Sequence, residues 1–351
     1  MKRFLPKFSL FIFLVLFQQN VFAQVSGDYR SRQSGIWSDF NTWERYSGTA
    51  WANATSVQVP GSIANTITIQ SGHTVTIGAS LSVGLNLIIE STAVLKSANS
   101  SPSTFFIRPG ATGPATTAVI TNNGTLGGPA SNGDGFALEI PNNCAYLKLT
   151  GTGSTSITRM RMNSGNTNAA TFEVDQNIDI NFNGVGFTAF YNNASNATTD
   201  NYTITINAGK TLKFTNAAGG IHAGATITNP SGNYTYNVNG TIDLSATTTT
   251  TNITGSTTNA SAVTTFNIGG AGSLITGTGF NAVSGGTALG KVVFNVASGG
   301  VIDATRATTL TLGVSPFILT GTASVKRTAI QNTSITFPIS SSALINWEFS
   351  K

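Results

Sequence analysis

Apolar and polar residues alternate with a period of two along most of this chain, which is the pattern of half-buried β-strands. Between residues 63 and 95 the alternation is interrupted by Gly72, Gly78 and Gly84. Glycine tolerates the sharp backbone turns that other residues avoid. The pattern therefore predicts several short strands joined by tight turns.

One design recurs three times in the C-terminal part: an aromatic residue, an asparagine, an aliphatic residue and then a glycine. The repeats begin at Tyr236, Phe266 and Phe294, which are 30 and 28 residues apart. Such a period is typical of architectures in which one coil stacks on the next. In that register the three rings stack inside the coil at about 4.8 Å, and the three asparagines form a hydrogen-bonded ladder outside.

The repeat predicts an all-β protein, a single-stranded parallel β-helix (β-solenoid). A β-sandwich in which the spacing is coincidental is the alternative. The composition favours strands as well, because only 9% of residues are charged and Gly, Ser, Thr and Asn are abundant. The single cysteine, Cys144, excludes an intrachain disulfide and is expected to be a buried, inert thiol.

Residues 1–23 have the organisation of a signal peptide. Basic residues precede an apolar run at residues 10–17, and a small-residue pattern ends at Ala23. The run is shorter than the roughly 20 residues that cross a bilayer. We therefore predict cleavage before Gln24, a secreted or cell-surface location, and no transmembrane span in the mature chain.

The charge balance excludes one class of partner. The chain has 18 Lys and Arg and 13 Asp and Glu, and three basic residues lie in the predicted signal peptide, so the mature balance is 15 − 13 = +2. Basic residues do not cluster with aromatic residues into a surface that would neutralise phosphates. We predict that the protein binds no nucleic acid.

Residues 24–60 differ from the rest because they carry Trp37, Trp43 and Trp51, three of the four tryptophans. A solenoid exposes apolar surface and unpaired strand edges at its ends, so this segment is predicted to be an N-terminal cap. Stacking of these tryptophans on sugar rings is the alternative. Residues 61–320 are predicted to form the β-helix, and residues 321–351 a C-terminal strand segment that starts a truncated following domain.

Two stretches carry a resemblance to known proteins. Residues 35–44, with their Gly-Ile-Trp-Ser-Asp and Asn-Thr-Trp-Glu sequences, and residues 66–77 resemble the opening of secreted bacterial β-helix proteins exported as type IX secretion cargo. They are more distantly similar to the eight-glycine module of some cell-surface β-helix proteins. The resemblance implies a β-helix with an adhesin-like role. Residues 325–339 are similar to the passage into a β-sandwich and sorting domain, and this chain ends before those.

The densest group of charges consists of Arg159, Arg161, Glu173 and Asp175, each of which alternates with apolar residues. The alternation predicts that all four point outward on neighbouring strands. Two arginines and two carboxylates in that arrangement form a candidate carbohydrate-binding site for an acidic sugar, whose carboxylate arginine would clamp. A solvated salt-bridge patch is the alternative.

Other candidate groups lack the company that catalysis requires. Asp243 and Asp303 occupy equivalent repeat positions, near the upper separation of an inverting glycosidase pair, but without neighbouring acids or bases. His73 and His222 have no second ligand at metal-binding spacing. Threonine pairs could order water at an ice surface, although the pairs do not all recur at one coil position. We predict no metal, no cofactor and no catalytic residue.

These features predict an extracellular, non-catalytic β-helix surface protein or adhesin, which makes multivalent contacts with polysaccharide or with host or cell-surface glycans. The alternative is a carbohydrate-active enzyme, either a polysaccharide lyase or a hydrolase, or a sugar-binding module on the same fold.

Overall fold

The computed structural model describes residues 24–97, 106–110, 116–128, 135–141, 144–162, 170–181, 190–192, 201–215, 221–222, 233–248, 253–254, 262–283, 291–306, 309–311, 317–319, 324–328 and 346–350. The predicted signal peptide and Lys351 lie outside these residues.

Three sheets of 13, 12 and 9 strands carry the fold, and we call them sheets A, B and C. Sheet A contains β1 (Tyr29–Ser31), β3 (Trp43–Tyr46), β4 (Trp51–Asn53), β5 (Thr66–Ile69), β8 (Asn86–Ile89), β11 (Thr116–Asn122), β14 (Cys144–Thr150), β17 (Ala170–Asp175), β20 (Asn201–Ile206), β23 (Asn233–Val238), β26 (Val263–Ile268), β29 (Lys291–Val296) and β32 (Phe317–Leu319).

Sheet B contains β2 (Gly35–Ile36), β6 (Thr74–Ile77), β9 (Val94–Ser97), β12 (Thr125–Gly127), β15 (Ser154–Ile157), β18 (Ile178–Ile180), β21 (Thr211–Phe214), β24 (Thr241–Asp243), β27 (Ser273–Ile275), β30 (Val301–Asp303), β33 (Ser324–Thr328) and β34 (Asn346–Ser350). Sheet C contains β7 (Leu81–Val83), β10 (Phe106–Pro109), β13 (Ala137–Ile140), β16 (Arg159–Met162), β19 (Phe190–Asn192), β22 (Ile221–His222), β25 (Ile253–Thr254), β28 (Gly279–Val283) and β31 (Thr309–Thr311). A short 3-10 helix spans Phe40–Thr42.

The chain visits the three sheets in turn, so each coil adds one strand to sheet A, one to sheet B and one to sheet C. β14, β15 and β16 form one such coil, and β17, β18 and β19 form the next, with parallel pairing in all three sheets. The predicted parallel β-solenoid is therefore confirmed, and the β-sandwich alternative is wrong.

The core is the inside of the coil, where side chains from the three sheets meet. Buried and partly exposed residues alternate along the strands, as in the TITI sequence of β5. The rings of Tyr236 and Phe266 stack with centroids 4.6 Å apart, and those of Phe266 and Phe294 with centroids 5.1 Å apart. The predicted aromatic stack is therefore confirmed, and each pair contributes about 0.5–1.5 kcal/mol beyond its burial.

The N-terminal segment packs onto the first coil. β1 pairs in parallel with β5, the antiparallel hairpin of β3 and β4 extends sheet A beyond β1, and β2 extends sheet B beyond β6. Trp37 and Trp43 are buried with ring centroids 4.9 Å apart, and the Trp43 indole N–H donates to the Trp37 carbonyl at 2.8 Å. This packing is what a cap requires, and its role as a cap stays a prediction.

The C-terminal strands pair with the solenoid. β33 pairs in parallel with β30, and β34 pairs in parallel with β33, so both belong to sheet B. The predicted domain boundary at residue 320 therefore does not coincide with a change in the strand pairing of the described residues.

The glycines that follow the repeats are required mainly for space. Gly72 has a φ of +79°, as the turn prediction requires. A Cβ on Gly272 would instead lie 1.9 Å from the carbonyl oxygen of Val238 in the preceding coil, and one on Gly240 would lie 2.3 Å from that of Asn207. Backbone stacks on backbone at these corners, which leaves no room for a side chain.

Gly272→Ala is expected to lower the free energy of unfolding by about 1–3 kcal/mol, because the added methyl group forces the two coils apart. Gly61→Ala is the matched control, since a Cβ there meets nothing within 4 Å. Urea unfolding of both variants checks the expectation. Equal midpoints for the two variants would show that the corners are not closely stacked.

Candidate functional site

A cluster of polar side chains lies on the outer face of sheet A. Glu173 and Asp175 project from β17, between Tyr146 and Lys148 on β14 and Asn207 just after β20. The parallel register places Lys148 beside Glu173 and Thr150 beside Asp175. We call Tyr146, Lys148, Glu173, Asp175 and Asn207 the Lys148 cluster.

Both carboxylates of the Lys148 cluster are held by several donors. The Lys148 ammonium lies 2.9 Å from Glu173 Oε1 and 3.0 Å from Asp175 Oδ2. The Asn207 amide donates to the same two side chains at 2.8 and 3.1 Å. Tyr146 donates its hydroxyl proton to Glu173. The two carboxylates are thus bridged twice, once by a cation and once by an amide.

These contacts keep the carboxylates ionised. The hydrogen bond from Tyr146, followed by that from Lys148, lowers the pKa of Glu173, and the bonds from Asn207 and Lys148 lower the pKa of Asp175. The hydrogen bond to Glu173 raises the pKa of Lys148, and burial raises the pKa of Tyr146 to about 12. A general acid at neutral pH needs a raised carboxyl pKa. The cluster has the electrostatics of a salt-bridged patch, and sugar binding there stays a prediction.

The predicted arginine partners do not share this face. Arg159 and Arg161 belong to β16 in sheet C, whereas Glu173 and Asp175 belong to sheet A. Arg159 is only 8% exposed, and the Arg161 side chain lies outside the described residues. The expectation that all four residues lie on neighbouring strands is therefore wrong. Alternation shows which side of a strand faces outward, but it does not show which sheet the strand joins.

A second ion pair, in sheet C, escaped the sequence analysis. Arg108 Nε lies 2.5 Å from Glu139 Oε1, and Glu139 is fully buried although it lies within an apolar run. Buried charges require partners. The pairing could not be foreseen, because the two residues lie in different coils.

The predicted asparagine ladder is present on the outer face of sheet A. Asn237, Asn267 and Asn295 are in register on β23, β26 and β29. The Asn267 amide donates to Asn237 Oδ1 at 3.0 Å, and the Asn295 amide donates to Asn267 Oδ1 at 2.9 Å. Asn295 Oδ1, at the end of the ladder, has no hydrogen-bond partner. The ladder lines a depression of about 370 Å³ together with Thr205 and Asn239.

A column of threonines runs beside the ladder. Thr171, Thr203, Thr235 and Thr265 occupy one coil position on four successive strands of sheet A. The threonine pairs compared in the sequence did not share a position, but these four residues do. The outer face of sheet A therefore carries two parallel columns of uncharged polar side chains.

The remaining sequence candidates have local structural contacts. Asp243 and Asp303 are in register through Ile275, as predicted. Each accepts a hydrogen bond from the backbone N–H two residues later, at 2.8 and 3.1 Å, which stabilises the turn. His73 Nδ1 lies 2.8 Å from the Ser31 hydroxyl, which ties β1 to the first coil. The His222 side chain lies outside the described residues, and Cys144 is buried and free, as predicted.

Comparison of the chain with protein-family models, with curated proteins and with solved structures gives no match in any of the three. The described residues contain no helix of the length and apolarity that a membrane crossing needs. Within the same residues, no three His, Cys, Asp or Glu side chains gather in a way that could hold a metal ion.

Lys148→Met is expected to lower the free energy of unfolding at pH 7 by about 1 kcal/mol, because two partly exposed carboxylates lose a charged donor. The folded pKa values of Glu173 and Asp175 lie below the ordinary values of 4.5 and 3.8. The stability they contribute is therefore present above those values and is lost as the pH falls through the lowered pKa values.

Urea unfolding between pH 7 and pH 3 measures this loss in the wild type and in Lys148→Met, and the variant is expected to lose less. Lys210→Met is the control, since it also removes one positive charge. If Lys148→Met and the wild type lose stability in parallel on acidification, the cluster does not hold its carboxylates in the way described.

Proposed function

We propose that the protein is an extracellular, non-catalytic, adhesin-like β-solenoid, which uses the outer face of sheet A to bind polysaccharide or cell-surface glycans through many weak contacts. The asparagine ladder is the observation that carries this proposal. Export through the signal peptide at residues 1–23, and a relation to type IX secretion cargo, belong to the same proposal and rest on the sequence patterns alone.

The ladder offers the hydrogen-bonding pattern that sugar hydroxyls need. Each asparagine amide has two N–H donors and an oxygen with two lone pairs. Asn267 uses one donor toward Asn237 and one lone pair toward Asn295. It therefore keeps one donor and one acceptor for a ligand. Sugar hydroxyls both donate and accept, so a row of such amides suits them.

The ladder is also pre-organised. Because each amide is hydrogen-bonded to the next, its orientation is fixed before a ligand arrives, and less side-chain entropy is lost on binding. Adjacent amides are separated by the strand spacing of about 4.8 Å. Contacts repeated at a fixed interval along a polymer add up to a high avidity even when each contact is weak.

The charges on this face favour a neutral ligand and disfavour catalysis. Lys148 balances one of the two carboxylates of its cluster, and both carboxylates are acceptors that stay ionised. A hydrolase or lyase needs a group that gives or takes a proton near neutral pH. Glu173 and Asp175 lack that property, which supports binding over turnover.

The combined substitution Asn237→Ala and Asn267→Ala is expected to reduce binding to an immobilised polysaccharide about tenfold or more, because two repeated contacts are lost from a multivalent surface. A glycan array and a pull-down with insoluble polysaccharides measure the effect. The matched control is Thr241→Ala with Ser273→Ala, which removes another hydrogen-bonded pair of neighbouring coils, on sheet B.

A lyase and hydrolase screen on the same polysaccharides tests the enzymatic alternative. Turnover that disappears in Glu173→Ala and in Arg161→Ala would overturn the non-catalytic proposal. Binding that is equally strong in the asparagine variant and in the sheet B control would show that the ladder is not the binding surface.

A further inference from the structure

A cavity of about 190 Å³ lies at the N-terminal end of the outer face of sheet A. Trp51 on β4 lines it together with residues of β1, β5 and β8. Trp37 and Trp43 are buried in the core, whereas Trp51 is only partly buried. The three tryptophans of this segment thus differ, and Trp51 alone among them lines this cavity.

The Trp51 ring is held in a fixed position by its neighbours. The Arg30 guanidinium lies 4.4 Å from the ring centroid, which is the distance of a cation–π contact. Arg30 Nε in turn donates to Glu44 Oε2 at 2.6 Å. The Tyr46 ring lies 5.3 Å away, tilted by 53°. An aromatic ring that is already immobilised can bind a ligand with little further loss of entropy.

The polar lining of the cavity has hydrogen-bonding capacity to spare. In the described part of the chain, the side chains of Thr68 and Gln70 have no hydrogen-bond partner. Glu90 accepts one bond, from the Ser71 N–H at 2.8 Å through Oε2. Asp28 is occupied, because the N–H groups of Val25 and Thr66 donate to its two oxygens. Hydroxyl, amide and carboxylate groups therefore surround one aromatic ring.

We propose that this cavity is a binding subsite for a single neutral pyranose ring. The C–H face of a pyranose is apolar and fits an aromatic ring, whose negative face attracts polarised C–H groups. Its hydroxyls can pair with Thr68, Gln70 and Glu90. The cavity is smaller than the roughly 300 Å³ at which pockets for larger ligands begin, which limits the ligand to one ring.

The charge around the cavity excludes a strongly acidic sugar. Arg30 is paired with Glu44, and Glu90 adds a negative charge to the lining. The subsite lies on the same outer face as the asparagine ladder. The proposal rests on the proposed function only in taking a glycan as the ligand, because the cavity can bind a monosaccharide whether or not the ladder binds a polymer.

The probes are the methyl pyranosides of glucose, galactose and mannose, at concentrations up to about 50 mM, because single rings bind weakly, near the millimolar range. Saturation-transfer NMR with the protein produced from the full chain measures binding. Trp51→Ala is expected to weaken binding at least tenfold, and Trp51→Phe less. Gln70→Leu is expected to weaken it about threefold while leaving the ring and its neighbours in place, so that the proposal is tested even if Trp51→Ala does not fold.

Val57→Ala, at a position 88% exposed, and the asparagine ladder variant are the controls and should bind as the wild type does. The proposal is overturned if none of the three pyranosides binds, or if the affinity is the same in Trp51→Ala and in Gln70→Leu as in the wild type. Loss of polysaccharide binding in the ladder variant reports on the proposed function separately, since that variant keeps the cavity intact.

Discussion

The in-register stacking of parallel strands is the constraint on which this structure depends. A residue at one position of a coil is followed, one strand spacing further, by the residue at the same position of the next coil. Tyr236 therefore stacks on Phe266 inside the coil, while Asn237 donates and accepts along the outside. The same constraint reaches the corners, where Gly272 has to be a glycine because the backbone of the preceding coil lies against it.

Register also produces the chemistry of the outer face. Because neighbouring coils align, uncharged polar side chains form columns on sheet A, and the few charged residues meet partners from the adjacent coil. Lys148 neutralises part of the charge of Glu173 and Asp175 and keeps both ionised, which makes them acceptors rather than proton donors. A rigid row of donors and acceptors suits repeated contact with a polymer, and the cavity at Trp51 adds an aromatic ring at one end of that row.

The stack of Tyr236 on Phe266 could be predicted from the sequence because two local signals agree there, a period of two within a strand and a repeat of about 30 residues between strands. The Lys148 cluster could not be predicted, since earlier coils have unequal lengths. Register joins Thr66 to Asn86 after 20 residues and Asn86 to Val119 after 33. Without the coil length, alternation cannot place a side chain beside its partner in the next coil.

Distance measurement between two spin labels tests the central claim most directly. Thr171 and Val293 occupy one coil position, four strand steps apart, in sheet A. Labels on Thr171→Cys and Val293→Cys, in a Cys144→Ala background, are expected to give a single distribution centred near 19 Å, four times the strand spacing of about 4.8 Å. A broad distribution, or one centred beyond about 35 Å, would contradict the stacked parallel register.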